Sequence, residues 1–211
     1  IVGYRGIFST NHVYVSYAWM NYLYGQYAIG GDIWNDAVIP CSFDPSEYTI
    51  SPTKEDYFLF IGRLITDKGI HIAVEMTRRL GAQLIVAGQG SLESVGIVDA
   101  PHVKYIGSVG SVQRTELMSK ARAVLMPTRY IEPFGMVAVE AQFCGTPVIT
   151  TDWGGFNETV LHGITGYRCR SLEEFVWAAR NVDKIDPRAC RKWAEDNFSM
   201  VRISQMYQEY F

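Results

Sequence analysis

From Tyr57 onward the chain alternates short apolar runs with longer stretches of helical periodicity, and this limits the possible folds more than any other feature. Tyr57–Ile61 (YFLFI), Gln83–Ala87 (QLIVA), 103–106 (VKYI), Ala123–Met126 (AVLM) and Val148–Thr151 (VITT) read as strands. They run apolar on successive rather than alternate residues, so both faces of the sheet are expected to be covered. Between them, Ile70–Leu80, 111–121 and 136–144 read as helices, the first with Asp67 near its start and Gly81 just past its end. Further helices over 172–182, 187–197 and 200–211 close the chain. Strands alternating with helices imply βαβ units. Right-handed crossovers then make a doubly wound, Rossmann-like parallel α/β sheet the expected fold. Ligands of such sheets bind at the carboxyl ends of the strands, so the residues just after each strand are the ones to inspect.

Composition narrows the function classes. The chain has 211 residues, enough for one large domain or for one domain with a piece of another. It is 48% hydrophobic, which excludes whole-chain disorder, and its net charge of -3 argues against a nucleic-acid partner. No run approaches the roughly 18 apolar residues of a membrane span. Cys41, Cys144, Cys169 and Cys190 are far apart, without CxxC spacing, and read as the reduced thiols of a cytoplasmic protein rather than as metal ligands. His12, His71, His102 and His162 are equally scattered. Residues 1–56 differ in character. Tyr14, Tyr17, Trp19, Tyr22, Tyr24 and Tyr27 crowd one strand–helix stretch, followed by a polar loop that reads as a linker over 41–56. The aromatic stretch is expected to pack against a further part of the protein; left exposed, it would favour self-association or contact with a membrane surface.

Three constellations follow strands. Gly62-Arg63-Leu64-Ile65-Thr66-Asp67-Lys68-Gly69 opens a helix, where free amides and the helix dipole attract anions, and it adds two cations. A diphosphate suits such a place, and an ordinary solvated turn is the plainer alternative. Glu132-Pro133-Phe134-Gly135-Met136-Val137-Ala138-Val139-Glu140 opens a second helix. Glu140 is the only charged residue from Pro133 to Thr151, and a carboxylate on a helix apolar nearly all round must be paired or aimed at a polar site. Eight helical residues would hold two carboxylates roughly 12 Å apart. That is beyond the roughly 5–9.5 Å of a hydrolase pair, so reading hydroxyls at two ends of one ligand fits better. Thr151-Asp152-Trp153-Gly154-Gly155-Phe156-Asn157-Glu158 allows a tight turn, and Asn157 and Glu158 equally well start a short helix.

Together with Gly145-Thr146-Pro147-Val148-Ile149 and Gly163-Ile164-Thr165-Gly166-Tyr167, these blocks resemble, in order and spacing, the retaining GT-B glycosyltransferases of family 4. The resemblance runs from about Val13 to the end. It implies the last βα unit of an acceptor lobe over 1–40, an interlobe linker over 41–56, a nucleotide-sugar-binding domain over 57–197 and a crossover helix over 198–211. It departs at Cys41-Ser42, where Asn-Gly is frequent, and at Asn157, where Pro is frequent. The implied donor is a UDP-, GDP- or ADP-sugar, with no further cofactor and no metal. Arg63 and Lys68 would hold the diphosphate beside Gly62, and Glu132 the sugar hydroxyls. These three would form the catalytic set. Glu140 would take the ribose hydroxyls, backbone amides of Phe134, Gly135, Met136 and Val137 would face sugar and phosphates, and the base would lie near Ser108, Val109 and Tyr130. The resemblance also implies an acceptor lobe, able to meet a membrane surface, of which only the last unit is expected here. On that reading the chain alone is inactive, and a stand-alone nucleotide-sugar-binding module without catalysis is the alternative. A sugar-nucleotide epimerase is a third, requiring an acid/base pair in the cleft.

Overall fold

A computed structural model describes residues 11–30 and 34–211; the remainder of the 1–40 unit lies outside the described residues. Six parallel strands form the main sheet: β3 (Tyr57–Ile61), β4 (Gln83–Ala87), β5 (Val103–Tyr105), β6 (Ala123–Met126), β7 (Val148–Thr151) and β8 (Gly166–Cys169). Their order is β5-β4-β3-β6-β7-β8. A separate parallel pair, β1 (Val13–Tyr14) and β2 (Ala37–Val38), flanks α1 (Tyr17–Tyr27). The other helices are α2 (Ile70–Leu80), α3 (Ser111–Lys120), α4 (Met136–Phe143), α5 (Phe156–Thr159), α6 (Leu172–Asn181), α7 (Pro187–Phe198) and α8 (Met200–Tyr210).

The unbroken apolar runs do what their pattern predicts. Along β3, Phe58 and Phe60 pack into one layer with Ile70, Ala73 and Met76 of α2 and Phe175, Ala178 and Ala179 of α6. Tyr57, Leu59 and Ile61 pack into the opposite layer with Met118 of α3 and Ala138 and Ala141 of α4. Successive strand residues point to opposite faces, so helices on both sides require an apolar residue at every position. The expected helices and strands are present, with ends differing by one residue. β8 is the addition. Its sequence, GYRC, carries no apolar run, because it lies at the sheet edge and Gly166 sits directly on the Val148 carbonyl, where a Cβ would come within 2.1 Å.

A third cluster joins the ends of the chain: Phe43, Phe134, Val139, Phe143, Ala194 and Phe198. Phe43 pairs with Ser199 in an isolated parallel bridge, and the Arg191 guanidinium donates to the carbonyls of Pro45, Tyr48 and Phe143. The polar stretch 41–56 is therefore fastened to α4 and α7 through its few apolar residues and its carbonyls. On α1, Leu23 is buried while Tyr17 and Tyr22 remain exposed. All four cysteines are unpaired, and among the described residues no helix is long and apolar enough to cross a membrane.

Candidate functional site

β3 has β4 on one side and β6 on the other, and the chain proceeds outward in both directions from it. The loops after β3 and β6 therefore leave in opposite directions and open a crevice between them, where open α/β sheets bind ligands. These are the loops that carry Arg63 and Lys68 on one side and Glu132 on the other. Gly69 lets them touch. It is left-handed, with φ of 74°, and a Cβ there would lie 1.9 Å from the Pro127 carbonyl oxygen.

That approach brings three sequence-predicted residues together. Lys68 Nζ lies 2.8 Å from Glu132 Oε2, and the Tyr130 hydroxyl donates to the same oxygen at 2.9 Å. The Lys68 ammonium also sits 4.9 Å above the Tyr130 ring. Burial, then the Glu132 charge, hold the Tyr130 phenol well above its ordinary range, so it remains a protonated donor; the charge of Arg63 opposes this shift. Arg63 is exposed at the mouth of the crevice.

The start of α4 supplies donors. The carbonyls of Glu132, Pro133 and Phe134 are taken by the Gly155 amide and by the hydroxyls of Ser16 and Thr159. The amides of Phe134, Gly135, Met136 and Val137 have no acceptor among the described residues. A helix start with free amides beside a lysine and an exposed arginine favours anions. Phe134 contributes only its backbone, since its side chain is buried in the aromatic cluster.

Glu140 is buried, and its Oε2 is held by Arg114 Nη2. The two line a cavity of about 330 Å³ with Glu47, Tyr48, Ser111, Val112 and Thr115. The carboxylate is thus both paired and open to a polar space. Arg114 is a site residue that sequence reasoning misses; the one available signal is a cation near a helix start, where the dipole disfavours it. Ser108, exposed, and Val109, half-buried, lie in the loop that runs into α3, whose Ser111, Val112, Arg114 and Thr115 line this cavity. Glu158, named in the third constellation without a role, lies in the short helix α5, and its carboxylate is bound to the start of α1.

Residues 46–196 match the family model of the glycosyl transferases group 1. The chain belongs to this family. Among curated relatives of this group 1 glycosyltransferase chain, a glycogen synthase of Mycobacterium tuberculosis is 36% identical over 149 residues, spanning 64% of this chain and 36% of that protein. A D-inositol 3-phosphate glycosyltransferase of Mycobacterium bovis is 33% identical over 147 residues, spanning 64% of this chain and 30% of that protein. The match thus spans about a third of these relatives' length. Among solved structures, AviGT4, a glycosyltransferase involved in avilamycin A biosynthesis, superposes with a TM-score of 0.77 at 27% identity, covering 94% of this chain and 62% of AviGT4. Anabaena HepE, solved with UDP and glucose, shares the fold, with a TM-score of 0.79 at 22% identity over 96% of this chain and 63% of HepE. The group 1 domain is an α/β unit with a parallel sheet of the kind found in GT-B glycosyltransferase lobes.

Proposed function

We propose that this chain is the donor-binding part of a retaining glycosyltransferase of family 4 and that its crevice takes a nucleoside-diphosphate sugar. The observation that carries this reading is the junction of Lys68, Glu132 and Tyr130 beside the free amides of α4, at the point where the strand order reverses. Diphosphate and sugar are adjacent in such a donor, and the residues suited to each are 2.8 Å apart here. Lys68, Arg63 and the amides of Gly135, Met136 and Val137 are the diphosphate partners, and Glu132 and the Phe134 amide meet the sugar hydroxyls. Glu140 takes the ribose hydroxyls, sharing its carboxylate with Arg114. The base lies toward Ser108 and Val109; Tyr130, expected beside them, stands instead with Lys68 and Glu132. The UDP and UDP-glucose complexes of HepE agree with this assignment in ligand class.

The chemistry follows from charge. Cleavage of the anomeric C–O bond leaves positive charge on the sugar and negative charge on the departing diphosphate. Two cations and a helix N-terminus at that diphosphate stabilise the separation. No side chain is assigned as a nucleophile; the acceptor attacks from the face the leaving group vacates, and a diphosphate oxygen receives its proton. Thermal melting with UDP, GDP and ADP at millimolar concentration tests the reading. At least one is expected to raise the melting temperature, and no shift with any of the three would contradict it.

A further inference from the structure

Glu158 lies on α5, outside the crevice set, and both of its oxygens are engaged far away in sequence. Oε2 accepts from the Tyr17 amide at 2.9 Å and Oε1 from the Ala18 amide at 2.8 Å. These are the first two amides of α1, which lack helical partners and lie at the positive end of the helix dipole. The preceding residue, Ser16, is 1% exposed. Its Oγ accepts from the Trp19 amide at 3.0 Å and donates to the Pro133 carbonyl at 2.5 Å. The N-terminal unit is thereby clamped to the loop that carries Glu132.

The other side of that loop is held by the segment around α5. The Gly155 amide donates to the Glu132 carbonyl at 2.7 Å, and Thr159 Oγ1 divides its one proton between the Gly155 carbonyl at 3.1 Å and the Phe134 carbonyl at 3.3 Å. The approach is so close that a Cβ on Gly155 would lie 2.7 Å from Phe134 Cα. The Glu132 and Pro133 carbonyls are therefore fixed, and the Phe134 carbonyl shares the Thr159 hydroxyl. In a trans peptide the C=O and the N–H of the same unit point in opposite directions. Fixing the Pro133 carbonyl aims the Phe134 amide, which has no acceptor among the described residues.

The geometry points to Ser16 and Glu158 as positioning residues for the sugar end of the donor site. Ser16 sets the Pro133 peptide directly. Glu158 holds the helix start that presents Ser16. Together they orient the Phe134 amide and the backbone that follows Glu132, so the docked N-terminal unit builds part of a site that otherwise belongs to the main sheet. This rests on the reading that Glu132 and the Phe134 amide meet the donor sugar. Lys68 and Arg63 lie on the other loop and form no hydrogen bond or ion pair with Ser16 or Glu158, so the diphosphate end depends on the clamp much less.

Calorimetric titration of the whole chain with three pairs tests this: UDP and UDP-glucose, GDP and GDP-mannose, ADP and ADP-glucose. Wild type is expected to bind one sugar nucleotide more tightly than its diphosphate. In Ser16→Ala and in Glu158→Gln, affinity for that sugar nucleotide falls about tenfold, the worth of one well-placed hydrogen bond, while affinity for the bare diphosphate stays within about threefold. An equal fall for both ligands would mark the two residues as supports of the fold alone and overturn the proposal, as would no change for either. Glu158→Gln keeps an acceptor oxygen at the helix start and carries the test if Ser16→Ala does not fold. Wild type binding a sugar nucleotide no better than its diphosphate would also overturn it. Wild type binding none of the diphosphates would instead refute the donor-site reading, and this inference with it.

Discussion

Lys68 and Glu132 neutralise each other in the unliganded crevice, and each side chain is at most one-fifth exposed. A diphosphate adds negative charge that Lys68 must share, so the carboxylate opposes the anion while the ammonium attracts it. Lys68→Ala is expected to abolish thermal protection by nucleoside diphosphates, whereas Glu132→Gln keeps or increases it; a melting series of both variants decides. Arg114 and Glu140 pose a second case. Removing the guanidinium leaves a buried carboxylate without its counter-charge, and because Arg114 is a third exposed the cost falls below the roughly 3–5 kcal/mol of fully buried pairs, to about 2 kcal/mol. Arg114→Ala is expected to lose that much in urea unfolding, and Arg114→Ala with Glu140→Gln to recover most of it. The partnership is not legible in sequence, since the two residues are 26 positions apart on different helices. What is legible is the solitary charge on an apolar helix, which predicts that Glu140 is paired or faces a polar space, and it does both.

Elements were legible where burial imposes a pattern and illegible where it does not. β3, β4, β6 and β7 are central or covered on both faces, and their apolar runs locate them to the residue. β8 needs apolar contact on fewer sides and carries Gly and Arg instead. The clamp between α1 and the Glu132 loop is invisible for a different reason: its donors and acceptors are a serine, a glutamate and backbone groups joined across 117 to 141 positions. The contact between α2 and the end of β6 yields a prediction. Gly69 and Gly81 are both left-handed, at φ of 74° and 63°, but a Cβ meets the Pro127 carbonyl oxygen at 1.9 Å in the first case and nothing within 4 Å in the second. Gly81→Ala is expected to cost about 1 kcal/mol, the conformational penalty alone. Gly69→Ala must also push two loops apart and is expected to cost about 3 kcal/mol. Equal losses in chemical denaturation would show that the loops do not touch as described.

At the scale of the whole molecule, the buried lysine and thiols that set stability around pH 8 to 9 lie away from the crevice. Lys54 donates to the Ser119 carbonyl and Thr146 Oγ1, and burial brings its pKa down from 10.5 to about 8. The unfolded chain then holds more protons between those values, so this group makes stability rise as pH climbs from about 8 toward 10.5. Burial pushes the thiols of Cys144, Cys169 and Cys190 from 9 up to about 12, which removes stability as pH rises above 9. Urea midpoints are therefore expected to peak between pH 8 and 9, and Lys54→Met to lose the rising limb. The donor-site reading joins the scales: a strand order that reverses at β3, two loops in contact at Gly69, and one charged cluster beside four free amides. Its most direct test is a crystal structure of the chain with whichever of UDP, GDP and ADP raises the melting temperature most. The predicted result is a diphosphate within hydrogen-bond distance of Lys68 Nζ and the amides of Gly135–Val137, with the ribose on Glu140. A nucleotide seated elsewhere on the chain, with the β3–β6 crevice empty, would contradict it.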